Sequence, residues 1–168
     1  MDFLDVMHTY FRGERTEAWF YILPAGVVLL GLAVTAWVSY KDGFGYGLAI
    51  PLALFGLMGI GTGIGLGLRT PGQVQALERA YAEDPAAMVA EELPRMEKVN
   101  ANFSVALGAC AAFAVVGAVL RLGVSADWAH GVGTALIVFA ALGLLVDGFA
   151  ERRSRPYTKA LESLRDSS

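Results

Sequence analysis

Asp147 and Glu151 lie one helical turn apart, so a helix through "LLVDGFAE" sets both carboxylates on one face. Glu17, Glu97 beside Lys98, and Arg69 each sit where a charged segment meets a long apolar run. Carboxylates gathered at one depth could hold a hard cation through oxygen, or divide acid and base duties between them. Glu17, Glu97, Asp147 and Glu151 are therefore the candidate catalytic residues. Pairing with neighbouring arginines is the competing role, because structural ion pairs perturb charge as active sites do. Glu91 and Glu92 read as a solvated face.

Other chemistry is thin. No Glu-x-x-His pair suggests a diiron carboxylate centre, and there is no His-Glu-x-x-His, no cysteine pair and no Gly-x-Ser-x-Gly. His8 and His130 fall on opposite sides of the apolar runs and cannot share a metal within one copy. The sequence thus assigns no metal site and no cofactor. Cys110 is the single cysteine and cannot close an intrachain disulfide. A net charge of -3 gives no reason to expect a nucleic-acid partner.

The elements that must carry these side chains are apolar. Of the 168 residues 55% are hydrophobic and 17% charged, against roughly 25% charged in soluble domains, and the mean hydropathy is +0.51. Residues 18–40, 46–68 and 99–120 contain no Asp, Glu, Lys or Arg, and 128–146 contains His130 as its one ionisable group. A bilayer core about 30 Å thick needs about 20 apolar residues to be crossed as a helix. The sequence predicts an all-α integral membrane protein with four transmembrane helices, at about 18–40, 46–68, 99–120 and 128–147. "KDGFG" and "RLGVSAD" are short connections, so the spans form two antiparallel hairpins joined by a cytoplasmic amphipathic insert, 70–98. The first apolar run is longer than a signal-peptide core, and no cleaved signal is expected.

Lys and Arg set the orientation. The two short connections hold only Lys41 and Arg121, while every other Lys and Arg lies before span one, between spans two and three, or in the tail 151–168. The positive-inside rule puts both termini and the insert in the cytoplasm, in a membrane expected to be a bacterial cytoplasmic one.

"GLMGIGTGIGLGLRT", 56–70, fits no phosphate loop: G-x-G-x-x-G and Gly-Lys-Ser/Thr are both missing. In a helix Gly59, Gly63 and Gly67 share one face, with Gly61 and Gly65 in a second row. Small residues four apart let membrane helices approach closely, and helix packing is the expected role of all five. Space for a lipid tail, a quinone or a pore is the rival. On the insert, Thr70, Pro71 and Gln73 read as a helix start, as do Asp84 and Pro85, with Pro94 expected to kink the second helix before it enters span three. Val74, Leu77 and Tyr81 share one face. Phe3, Met7, Tyr10 and Phe11 do so on an N-terminal amphipathic helix, 2–12, suited to the membrane surface, to covering the insert or to a second subunit. Tyr157, Leu161 and Leu164 suggest one last short helix.

Three functions compete on these grounds. The first is an oligomeric or accessory bundle, contacting the lipid bilayer, further copies of itself, or a partner docked through the cytoplasmic helices. The second is an inner-leaflet enzyme acting on a lipid or isoprenoid with the boundary carboxylates. The third is an oligomeric channel or carrier. The lack of ionisable groups at mid-depth weighs against an ion path through one copy.

Overall fold

The computed structural model describes residues 2–167, and these residues are helical apart from short breaks. Helix α1 is Phe3–Glu17, α2 Leu23–Ser39, α3 Gly43–Glu83, α4 Pro85–Gly123 and α5 Asp127–Ser167. A π-helical turn, Ala18–Ile22, fuses α1 to α2. Four helices of the described chain are long and apolar enough to cross a membrane.

Three of the starts are capped by aspartate. Asp2 caps α1 at Phe3 N, Asp42 caps α3 by accepting from Gly45 N, and Asp84 caps α4 by accepting from Ala86 N and Ala87 N ahead of Pro85. The break at Asp84–Pro85 falls where the sequence places it. The one expected at Thr70–Pro71 is absent, and α3 runs unbroken from Gly43 to Glu83. Pro71 removes one amide donor. The Gly67 carbonyl thereby loses its i+4 donor, and the helix continues regardless; next to it the Thr70 hydroxyl bonds back to the Leu66 carbonyl at 2.7 Å. Pro94 and Pro156 likewise lie inside α4 and α5, so the separate short tail helix is also replaced by a continuation.

The π turn has no sequence forecast. Pro24 has no amide hydrogen, so the helical ladder must lose a bond in this stretch, and Leu23 N–H reaches back five residues to the Ala18 carbonyl. One extra residue in a turn rotates the following face by about 100°.

The helices divide into an apolar shaft and a head. In the shaft α2 runs antiparallel to α3, α4 antiparallel to α5, and α3 beside α5 with the two parallel. Glycines sit at the crossings. A Cβ on Gly47 would lie 2.3 Å from the Trp128 carbonyl oxygen, and one on Gly131 2.3 Å from that of Phe44. Gly26 meets Gly56, and Gly117 meets Gly133, with a Cβ on either partner 2.6–2.9 Å from the other's carbonyl oxygen. Phe55 and Phe139 stack between α3 and α5 with centroids 3.7 Å apart. Gly59, Gly63 and Gly67 face Gly26, Leu23 and the Trp19 ring. Gly61 and Gly65 meet nothing within 4 Å, so the second glycine row does not pack within the chain.

The head is a separate core. Phe3, Met7, Tyr10 and Phe11 of α1 close on Met88, Val89, Leu93 and Met96 of α4 and on Tyr157 and Leu161 of α5. Val74, Leu77 and Tyr81 of α3 pack against this cluster. The apolar faces of α1 and of the insert are thus turned onto one another.

Candidate functional site

The site lies where head meets shaft. Glu17 ends α1 and its side chain is buried. Arg153 on α5 donates to its carboxylate, crossing α1 at Gly13. A Cβ on Gly13 would lie 2.6 Å from Arg153 Cδ, so only glycine leaves that path open without the arginine moving. Glu14 flanks the pair, accepting from the Thr70 hydroxyl at 3.2 Å and lying 3.6 Å from Arg69.

Glu17 and Asp147 line one partly open cavity of about 240 Å³ together with Thr62, Tyr10 and Arg153. Burial raises the Glu17 carboxyl above the ordinary range. The Arg153 guanidinium opposes that shift, and the nearby Asp147 and Glu14 add to it. The structure therefore brings together two of the four candidate carboxylates. Glu151 instead pairs with Arg155 at 2.7 Å, one turn along the same helix. Glu97 is exposed and lines a shallow groove with Pro94 and Arg165, apart from the others. Among the described residues no three His, Cys, Asp or Glu side chains gather as a set able to hold a metal ion.

Glu92 departs from its sequence assignment. It is buried, receives two 2.6 Å bonds from Arg95, and accepts from the Tyr157 hydroxyl at 2.9 Å. A signal was present in the spacing: Glu92 stands four residues after Met88 and four before Met96, on the apolar stripe itself. Glu91, the residue beside it, is exposed as expected. A second polar network, also between α4 and α5, runs from the Ser154 hydroxyl to Asn100 Oδ1 (2.6 Å) and from Asn100 Nδ2 to the Thr158 hydroxyl (2.9 Å).

Tyr157 is fully buried, its ring stacked on Tyr10 with centroids 5.0 Å apart. Burial, reinforced by Glu14, pushes the Tyr10 phenol up to about 12 from its ordinary 10.0, and burial beside Glu92 raises that of Tyr157 further. The sign of the linkage follows. A phenol whose ionisation is held back by folding leaves the head fully stable below pH 10.0, and this contribution is lost as pH rises through about 12. Spectroscopic titration of tyrosinate should show a late step near pH 12 that disappears in Tyr10→Phe. A wild-type titration complete near pH 10, like that of free tyrosine, would contradict the buried position.

Compared with protein-family models, curated proteins and solved structures, the chain matches none.

Proposed function

We propose that this is a non-enzymatic membrane bundle, an oligomeric or accessory subunit whose helical head lies on the cytoplasmic side of a bacterial cytoplasmic membrane. The observation that carries this reading is the pairing of carboxylates with arginines at the head: Glu17 with Arg153, Glu92 with Arg95, Glu151 with Arg155. Each pairing turns a potential acid or base into a structural contact. The orientation is supported by the basic residues, which leave only Lys41 and Arg121 for the opposite end. Two antiparallel hairpins, α2–α3 and α4–α5, then cross the bilayer, with residues 70–98 as the cytoplasmic insert. Assembly is supported by the outer face of α4, where Val105 is 71% exposed and Gly108 has open space beside it. A partner would meet the outside of the head, because Phe3, Met7, Tyr10 and Phe11 are buried within it and Val74, Leu77 and Tyr81 pack against them.

The lipid-enzyme alternative has one observation in its favour, the cavity shared by Glu17 and Asp147. One experiment separates the two. Membranes from cells overproducing wild type or Asp147→Ala are compared for lipid composition, while both proteins are sized in detergent. The proposed function expects unchanged lipids and the same assembly in both. A lipid species that accumulates or vanishes only with intact Asp147 would favour the enzyme.

A further inference from the structure

A larger cavity of about 800 Å³ opens on the other side of the Glu17–Arg153 pair, between α1, the π turn and α5. Its polar wall carries Arg12, Arg152 and Arg153, and its apolar wall carries Tyr21, Val146 and Phe149. Glu17 is the one acidic group on the wall, and Arg153 already pairs with it. Among the described residues Arg12 and Arg152 have no ion-pair partner, and Arg153 Nε is buried without a hydrogen-bond acceptor. The cavity therefore holds two uncompensated cations, Arg12 and Arg152, beside apolar side chains, while Arg153 Nε is covered against Gly13.

We propose that this cavity binds the phosphate of an anionic phospholipid from the adjoining leaflet. Arginine matches phosphate oxygens in charge and in geometry, and basic pockets between transmembrane helices recognise anionic headgroups. The apolar wall decides between a lipid phosphate and a free one. Tyr21 and Phe149 are 63% and 60% exposed and continue from the cavity onto the shaft, the path an acyl chain would follow. A soluble phosphate would make no use of that wall. This assignment rests on the membrane placement proposed above.

Native mass spectrometry of detergent-purified protein, offered equal phosphatidylglycerol and phosphatidylcholine, tests it. Wild type should retain phosphatidylglycerol preferentially. Arg12→Gln/Arg152→Gln should weaken that retention about 10- to 30-fold, taking about 1 kcal/mol for each basic residue lost. Both arginines are exposed and leave the Glu17–Arg153 pair intact, so the double variant should melt at the wild-type temperature. Arg79→Gln/Lys159→Gln removes the same charge from exposed sites away from the cavity and should retain lipid as wild type does. Equal loss in both variants would reduce the effect to general surface charge and overturn the site. So would equal retention of the two lipids, or competition by inorganic phosphate alone at the lipid's own concentration. Protein that stays dissolved without detergent would bring down the membrane placement as well. Failure of lipid preference in a detergent-requiring protein would bring down this site only.

Discussion

The Gly63→Leu variant is expected to unfold about 4–8 °C below wild type in detergent, while Gly61→Leu should match or exceed wild type. The two positions lie half a turn apart on the same helix, so both substitutions gain the same roughly 0.8–1 kcal/mol of helix propensity on losing glycine. Their difference isolates packing. A Cβ on Gly63 would stand 2.8 Å from Leu23 Cβ, 2.9 Å from Leu23 N and 3.0 Å from the Ala18 carbonyl oxygen. Two of those atoms are backbone and cannot rotate away, so the whole of α2 must move. Overpacking of this kind costs about 3 kcal/mol, the upper end of the usual range, which leaves about 2 kcal/mol after the propensity gain, and each kcal/mol is worth about 2–4 °C in a chain of this size. Gly61 has open space on its side, and leucine there would meet lipid or another copy. Equal melting temperatures for the two variants would refute the α2–α3 contact. A change of oligomeric state in Gly61→Leu alone would assign the second glycine row to contacts between copies.

This contrast marks how far the sequence could be read. Uncharged runs of twenty residues declare their solvent, because hydrocarbon admits no other pattern. Glycines four apart declare close approach, but two rows lie on α3 and periodicity cannot say which one a neighbour covers. That depends on α2 and on the π turn through which it enters. The pairs Gly47–Trp128 and Gly26–Gly56 were hidden for the same reason, since each joins helices whose register no local pattern records. Proline was the weakest guide. Pro71 and Pro156 lie inside continuous helices where a break or a separate short helix was expected, whereas Pro94 lies inside the continuous α4 that the sequence leads into span three. At the candidate site, the sequence singled out Glu17 and Asp147, which line one cavity, yet the arginine that reaches Glu17 could not be named. Arg152, Arg153 and Arg155 are adjacent in sequence, and only the opening at Gly13 selects Arg153. Glu92 was lost to its neighbour: a Glu-Glu pair looks solvated unless the stripe through Met88 and Met96 is followed through it.

Shaft and head are held by different forces, and the largest single effect is expected in the head. Between membrane helices lipid is as apolar as leucine, so packing contacts rather than exclusion of water hold the shaft together. In the proposed arrangement the head would have an aqueous surface, and burial of aromatic area would stabilise it. Tyr157 is the side chain on which that core converges. It is fully buried, stacks on Tyr10, lies within 6.0 Å of the Phe3 ring centroid, and meets Phe11 edge-on at 5.8 Å. Tyr157→Ala should destabilise the head by about 3–5 kcal/mol, the cost of truncating a buried aromatic. It also leaves the Glu92 carboxylate without one of its donors. Tyr157→Phe keeps the stacking and loses only that hydrogen bond, a change of about 1.5–3 kcal/mol for a charged acceptor. Hydrogen exchange reads the difference by position. In Tyr157→Ala the amides of Phe3–Glu17 should lose most of their protection while those of 46–68 keep theirs, because the glycine contacts of the shaft do not involve the head. Arg153 lies one turn before Tyr157 on α5, so opening the head should also free its contact with Glu17. Uniform loss of protection along the chain would instead show that head and shaft unfold as one unit.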